Sequence, residues 1–186
     1  MIETIKRLDT ELFLYLNAKH TTFFDVIMYW ASDQWFWIPF YFILLLLLIK
    51  ILKKKTIVLI PIIAVIITLC DQTASHLIKN IFLRLRPSHE PDLIPYTHLS
   101  KAGAGGMYGF VSSHAANVWG LTIFLLFLLP QKHNWLKAVM IFWATLVSYS
   151  RIYNGVHYPL DVLGGMIVGI IMGSLVYYGS RKLNFI

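Results

Sequence analysis

Residues 35–52 read WFWIPFYFILLLLLIKIL, and three consecutive lysines, Lys53–Lys55, follow them. The stretch is almost entirely apolar, and its length approaches the roughly 20 residues that a helix needs to cross the ~30 Å hydrocarbon core of a bilayer. Its aromatic residues Trp35, Trp37 and Tyr41 lie at one end, as is typical of a membrane interface. We therefore interpret the segment as a transmembrane helix.

The composition of the whole chain favours a membrane protein. Hydrophobic residues make up 58% of the 186 residues and charged residues 13%, about half the charged share of an ordinary soluble domain. The single cysteine excludes a disulfide scaffold, and the apolar content excludes an intrinsically disordered chain. A net charge of +7 could indicate nucleic-acid binding, but no basic stretch is interleaved with aromatic residues. In a membrane protein, surplus Lys and Arg belong to cytoplasmic loops or to an anionic substrate site.

Four further apolar runs follow the first one. They extend over residues 56–78, 114–129, 136–150 and 160–179. The predicted fold class is therefore all-α, a polytopic transmembrane helix bundle with five spans.

The N-terminal part of the chain has a different pattern. An amphipathic stretch over residues 4–16 precedes a short apolar stretch over residues 22–31 that contains Asp25. These residues could form an interfacial helix, a re-entrant segment or a sixth span. We therefore divide the chain into an N-terminal amphipathic, membrane-associated region, residues 1–34, and a transmembrane core, residues 35–186.

Basic residues predict the orientation of the chain. If five spans alternate, one side of the membrane receives Lys53–Lys55, Lys132, Lys137, Arg181 and Lys182. The positive-inside rule makes that side cytoplasmic. The long loop at about 87–111 and the short loop 151–159 then lie on the extracytoplasmic side, where their basic residues favour an anionic ligand. We expect an integral multi-pass protein of a bacterial inner membrane.

The second apolar run carries a stripe of polar side chains. Asp71, Ser75 and Lys79 recur every four residues and therefore share one helix face. Arg86 lies two turns beyond Lys79 on the same stripe if the helix persists, and Pro87 prevents further continuation. The two cations would then point at one place, although basic side chains at a helix end also commonly reach for lipid headgroups.

The segment FVSSH, residues 110–114, precedes the third apolar run. Ser112 is a favourable N-cap residue, and free backbone N–H groups at a helix start favour an anion. His114 lies at the rim of the membrane, where its imidazole could donate a proton. The structural alternative is a plain serine cap with an interfacial histidine.

A third polar group, SRIYNGVHYPLD at residues 150–161, precedes the last run. Glycines follow it at four-residue steps, at Gly165, Gly169 and Gly173, and predict a helix-packing face. Asp161 on this face points into the bundle, where it can hold one nitrogen of His157 and leave the other free to attack. The alternatives are a His–Asp pair that only joins two helices, or a metal site with His114 as third ligand.

Together the three groups predict a phosphate site at the extracytoplasmic ends of four helices. Its members are Lys79, Arg86, Ser112, His114, Arg151, His157 and Asp161. Three cations and a helix N-terminus would bind phosphate, and the two histidines would provide a nucleophile and an acid.

In these motifs the chain resembles the type-2 phosphatidic acid phosphatases, also called lipid phosphate phosphatases. As in the first motif of that family, Lys79 is followed after six residues by Arg86-Pro87. As in the third motif, Ser150-Arg151 is followed after five residues by His157 and after three more by Asp161. The resemblance covers about residues 71–173.

The middle motif differs from the family pattern Pro-Ser-Gly-His. Ser112 and His114 match it, but Val111 replaces the proline and Ser113 the glycine. A glycine would permit backbone dihedral angles that serine disfavours, whereas the Ser113 hydroxyl can add a hydrogen bond.

The resemblance implies metal-free hydrolysis through a phosphohistidine. His157 would attack phosphorus, Asp161 would orient His157, and His114 would protonate the leaving oxygen and then activate water. The phosphoryl oxygens would be bound by Lys79, Arg86, Ser112, Ser113 and Arg151. We expect no cofactor and no nucleic acid; the expected partners are the bilayer and a lipid phosphate.

Several functions remain open from the sequence. The lipid phosphate could be undecaprenyl diphosphate, phosphatidylglycerol phosphate, phosphatidic acid or a lipid A phosphate. A lipid phosphotransferase would pass the phosphoryl group to an acceptor other than water. A non-catalytic protein that binds or transports a lipid phosphate is the third alternative, and the intact His114, His157 and Asp161 argue against it.

Overall fold

A computed structural model describes residues 1–186 as helices joined by turns and loops. The eight α-helices are α1 (Ile2–Asn17), α2 (Thr22–Ser32), α3 (Ile38–Leu52), α4 (Thr56–Asp71), α5 (Lys79–Phe82), α6 (Ser113–Leu128), α7 (Asn134–Tyr153) and α8 (Pro159–Lys182). A π-helical segment, Gln72–Ile78, joins α4 to α5. No strand is formed, and one isolated bridge pairs Leu85 with Tyr108. The prediction of an all-helical fold is confirmed.

Two helical runs are long and apolar enough to cross a membrane. They are Ile38–Phe82 and α8, while α6 is apolar but shorter. Within the first run, Lys53 has a positive φ of 54° and turns the chain between α3 and α4. The Thr56 hydroxyl closes this turn by donating to the Leu48 carbonyl at 3.0 Å. The lysine turn therefore separates two helices where the sequence predicted it, and the total of five spans stays a prediction.

The main core lies between α3, α4, α6 and α7. Leu48, Ile66, Phe124 and Met140 are each at most 2% exposed there. Because lipid tails are as apolar as these side chains, such packing stabilises the bundle chiefly through van der Waals contact.

Helices α6 and α8 approach each other through the predicted glycine face. A Cβ added at Gly169 would lie 2.5 Å from the Ala116 carbonyl oxygen, and one at Gly173 would lie 2.5 Å from that of Gly120. Any side chain would force the helices apart, so the glycine packing face is confirmed. The contact places Asp161, in the first turn of α8, next to the start of α6.

The N-terminal helices pack on α7 and α8. The buried Asn17 donates to the Tyr153 carbonyl at 2.8 Å, and the buried Asp9 accepts from the Leu160 N–H at 2.9 Å. Asn154 donates to the Met28 carbonyl of α2 at 3.0 Å. Residues 1–34 are thus bound to the bundle by buried polar contacts, and their assignment as a separate membrane-associated region stays a prediction.

The segment between α5 and α6 brings Arg86 to the site by a different route from the expected one. The condition that the helix persists to Arg86 is not met, because α5 ends at Phe82 and Leu83 adopts the left-handed conformation with φ 46°. Arg86 then lies in an extended segment, and its N–H donates to the Met107 carbonyl at 3.0 Å. A loop-to-loop pairing, rather than a continuous helical stripe, fixes its position.

Candidate active site

Three parts of the chain meet at one end of the bundle. Lys79 comes from α5, the segment 112–114 opens α6, and Asp161 lies in the first turn of α8. Lys79 Nζ donates to Ser113 Oγ at 3.3 Å, and the Ser112 N–H donates to the Asp161 carbonyl at 2.9 Å. The loop residue Arg86 reaches the Val156 carbonyl, next to His157, at 3.5 Å. The structure therefore brings together the residues that the sequence assigned to one site.

His157 and Asp161 form a buried pair. They are 1% and 0% exposed, and His157 Nδ1 lies 3.4 Å from Asp161 Oδ2. The same carboxylate oxygen accepts from the Tyr158 N–H at 3.0 Å, which fixes it at the helix start. Because Nδ1 faces the carboxylate, Nε2 is the ring nitrogen left for another partner.

Positive charges surround His157, which lies in the turn between α7 and α8. Burial lowers the pKa of His157 well below its ordinary value, and Arg86, Arg151 and Lys79 add to this effect through their positive charges. The ring is therefore neutral at neutral pH. A neutral imidazole carries the lone pair that a nucleophile needs.

Arg151 lies at the end of α7 and is 8% exposed. It donates to the Ser32 hydroxyl of α2, while its Nε is buried without a hydrogen-bond partner in the protein. A buried guanidinium N–H without a partner is costly unless a ligand accepts from it. The contact of Arg151 with Ser32 was not predicted, because no local pattern marks Ser32.

Arg84 is a site residue that the sequence interpretation missed. It donates to Asp161 Oδ1 at 3.0 Å and to Asp9 Oδ2 at 2.7 Å, and its guanidinium lies 3.9 Å from the centre of the Tyr158 ring. Arg84 thus joins α1 to the His157–Asp161 pair. The family motif contains Arg86 but not Arg84. Asp9 is too distant from Arg84 in sequence for their pairing to be predicted.

The start of α6 carries the two departures from the family motif. Ser113 Oγ lies 2.7 Å from Ser75 Oγ and accepts from Lys79, so the added hydroxyl holds the cation in place. Val111 is 2% exposed, and a Cβ at Gly164 of α8 would lie 2.5 Å from its Cγ1. The valine therefore fits because α8 has a glycine opposite it.

Glycines allow the loop before α6 to approach Arg86. A Cβ at Gly105 would lie 2.8 Å from Arg86 Nη1, and one at Gly109 would lie 2.9 Å from Asp161 Oδ2. Gly105 also has a positive φ of 69°. This part of the long loop is thus packed directly against the charged residues.

Two openings meet at His114. The first, the apolar cavity, has a volume of about 540 Å³ and is lined mainly by α3, α4, α6 and α7, with Asp71, Ser113 and Asn117 among its polar members. The second, the polar pocket, has a volume of about 430 Å³ and includes Lys101 and Arg151. His114 lines both, so it lies between an apolar and a cationic compartment.

Residues 58–185 match the PAP2 superfamily. The chain belongs to the PAP2 superfamily. The resemblance predicted from the motifs is therefore confirmed, and so is the expectation of a membrane phosphatase.

Individual PAP2 relatives cover most of the chain. A lipid A 4'-phosphatase of Bacteroides thetaiotaomicron is 36% identical over 186 residues, which are 99% of this chain and 82% of the relative. A lipid A 4'-phosphatase of Porphyromonas gingivalis is 34% identical over 95% of this chain and 74% of the relative. The crystal structure of Aquifex aeolicus LpxE superposes with a TM-score of 0.67 at 28% identity, over 92% of this chain and 95% of that one.

Proposed function

We propose that the chain hydrolyses a phosphate ester on a membrane lipid through a phosphohistidine at His157. The main support is the buried His157–Asp161 pair, which lies beside Arg86 and Arg151 and next to the N-terminus of α6. A neutral histidine among several cations suits the attack on a dianionic phosphate. The membership in the PAP2 superfamily supports the same reaction class.

The chemistry takes two steps. In the first, Nε2 of His157 attacks phosphorus, the bond from phosphorus to the lipid oxygen breaks, and His114 donates a proton to that oxygen. In the second, His114 takes a proton from water, the water oxygen attacks the phosphohistidine, and inorganic phosphate leaves. Asp161 stabilises the positive charge on the imidazole ring while the nitrogen–phosphorus bond exists.

The phosphoryl oxygens are bound by cations and backbone amides. Lys79, Arg86 and Arg151 supply the positive charge, and the unpaired Nε of Arg151 is one free donor. The Ser113 and His114 amides lie at the start of α6, where N–H groups have no partner within the helix. These donors stabilise the negative charge that grows on phosphorus oxygens in the transition state.

The substrate class we propose is a lipid that carries its phosphate on a sugar, such as lipid A 4'-phosphate. The apolar cavity beside His114 suits the lipid part. At its polar members, Asp71 binds only Ser75 and the buried Asn117 amide oxygen binds no protein group, so both can accept hydrogen bonds from sugar hydroxyls. The lipid A 4'-phosphatases among the relatives support this class.

We further propose five spans, with the active site on the extracytoplasmic side of a bacterial inner membrane and residues 1–34 as a membrane-associated region. The lysine-rich turns at the opposite end of the bundle support this orientation.

Phosphate release by the purified protein in detergent, without added metal, tests the function. The panel contains lipid A, undecaprenyl diphosphate, phosphatidylglycerol phosphate and phosphatidic acid. Among these lipids, we expect lipid A to release phosphate with the highest kcat/KM. Asn117→Leu should lower kcat/KM for lipid A relative to the other lipids, while an aryl phosphate is still hydrolysed. Phosphate appearing only on an added acceptor alcohol would identify a phosphotransferase, and no turnover of any lipid would contradict the proposal.

A further inference from the structure

Two histidines and an aspartate lie together outside the active site. His20 belongs to the turn between α1 and α2, Asp25 to the first turn of α2, and His98 to the loop before α6. One potential ligand atom from each residue can be chosen so that all three lie within 4.8 Å of one another. Imidazole nitrogen and carboxylate oxygen together are a donor set that zinc prefers.

The distances within the cluster fit a shared ion. His98 Nε2 lies 2.9 Å from Asp25 Oδ1, so one ion can contact both at the usual zinc distances of about 2.0–2.2 Å. The His20 and His98 rings are stacked, with centroids 3.7 Å apart and planes 5° apart. Parallel rings cannot direct their in-plane lone pairs at one ion, but His20 is exposed and its ring can rotate out of the stack.

Neighbouring residues hold two of the three ligands in place. The Tyr153 hydroxyl donates to Asp25 Oδ1 at 2.9 Å. The His98 N–H donates to Asn17 Oδ1 at 2.7 Å, and Asn17 Nδ2 returns a bond to the His98 carbonyl at 3.1 Å. Such outer contacts orient metal ligands and lower the cost of assembling a site.

We propose that His20, Asp25 and His98 bind one Zn²⁺ ion, with water as the fourth ligand. The ion links the N-terminal helices to the loop before α6, only three residues ahead of Lys101 in the polar pocket. Its role is to stabilise this side of the bundle. No ligand of this site belongs to the phosphate site, so the zinc takes no part in phosphoryl transfer.

The experiment uses the full chain in detergent, purified without a polyhistidine tag and treated with chelator. Zn²⁺ is then added. Zinc per chain is measured after gel filtration has removed unbound metal, and Tm is measured separately in buffer that contains free Zn²⁺. We expect one zinc per chain, and a Tm raised by roughly 5–10 °C at free zinc about 100-fold above Kd. Mg²⁺ should have no such effect, because it prefers six oxygen ligands.

Two variants remove single ligands while keeping their other contacts. In His20→Phe an aromatic ring can still stack on His98, and in His98→Gln an amide can still donate to Asp25. Both should lose the bound zinc and the rise in Tm, whereas the control His133→Gln, in the turn between α6 and α7, should keep both. Phosphate release below Tm should be the same for wild type with and without zinc, so this test is independent of the proposed function.

Three results would overturn the inference. They are no retained zinc in the wild type, equal retention in both ligand variants, and an equal rise in Tm with Mg²⁺.

Discussion

At the scale of single residues, Asp161 connects His157, the proposed nucleophile, to the rest of the protein. One of its oxygens faces His157, and the other accepts from Arg84, which also binds Asp9 of α1. A fully buried carboxylate needs such partners, and removing one partner of a buried ion pair costs about 3–5 kcal/mol. The orientation of His157 therefore depends on a contact with the N-terminal helix, far from the phosphate motifs in sequence.

The two histidines should respond differently to substitution. His157→Ala should abolish turnover and phosphoenzyme formation, because it removes the ring nitrogen that we propose attacks phosphorus. His114→Ala should lower kcat by about 10²–10⁴-fold on a lipid phosphate, the usual contribution of general acid–base catalysis. The decrease in kcat caused by His114→Ala should be smaller on an aryl phosphate, because its phenolate leaves without a proton.

Steady-state kinetics on both substrates, with phosphoenzyme trapping, measure this difference. Recovery of His157→Ala on the aryl phosphate, with His114→Ala inactive, would mean that the roles are reversed.

The Ser113 hydroxyl should help to hold Lys79 in position. Ser113→Gly restores the residue of the family motif but removes the bonds to Ser75 and Lys79. Because a typical hydrogen bond contributes about 0.5–1.5 kcal/mol, kcat/KM should fall by roughly 2- to 12-fold. Ser113→Ala is the matched control that removes the hydroxyl without adding backbone freedom. Activity of Ser113→Gly above that of wild type would show that the serine impairs the backbone geometry.

At the scale of helices, the packing of α6 on α8 decides whether the site exists. The N-terminus of α6 offers its amides, and the first turn of α8 offers Asp161. Since the Ser112 N–H binds the Asp161 carbonyl, a small displacement of one helix would separate the amides that we propose bind phosphate from the proposed nucleophile, His157. The glycines of α8 fix this approach.

A methyl group at Gly169 should therefore destabilise the protein. Gly169→Ala places a Cβ 2.5 Å from the Ala116 carbonyl oxygen, and overpacking of this kind costs about 1–3 kcal/mol. We expect Tm to fall by roughly 2–12 °C and activity to fall with it. Gly179→Ala is the control, because nothing lies within 4 Å of its added Cβ. The control should be neutral or stabilising, since alanine favours a helix over glycine; equal losses in both variants would contradict the packing argument.

At the scale of the whole molecule, the bundle separates an apolar cavity from a polar pocket. The apolar cavity runs between the helices, the polar pocket includes Lys101 of the long loop, and His114 borders both. For the proposed lipid substrate, this arrangement would keep the acyl chains among apolar side chains while the phosphate reaches the cations.

The proposed orientation can be tested with single cysteines. The native Cys70 is fully buried, so the wild type should give no background with a membrane-impermeant maleimide. In intact cells, Tyr96→Cys in the long loop should be labelled, and Lys54→Cys in the lysine turn should be labelled only after lysis. The reverse pattern would place the active site on the cytoplasmic side.

Phosphoryl transfer should not require a divalent metal. The three cations that we propose bind phosphate already offset its charge, so hydrolysis measured below Tm should survive EDTA. Vanadate should inhibit as a mimic of five-coordinate phosphorus. Complete loss of activity on chelation, restored by a divalent ion in the His20→Phe and wild-type proteins alike, would favour a metal in the active site.

The sequence by itself determined the helical fold class, the lysine turn, the glycine face and the motif residues that meet at the site. These features depend on local spacing: His157 and Asp161 are four positions apart in the sequence, and an apolar run must be helical because its backbone cannot bind water inside a bilayer. Only the tertiary structure decided the long-range contacts, namely those of Arg84 with Asp9, Arg151 with Ser32, and His98 with His20 and Asp25. The end of the helix before Arg86 and the cavity beside His114 were likewise visible only in the tertiary structure. The physical reason is that each of these features depends on how separate segments of the chain pack together. The periodicity within one segment carries no information about the segment that packs against it.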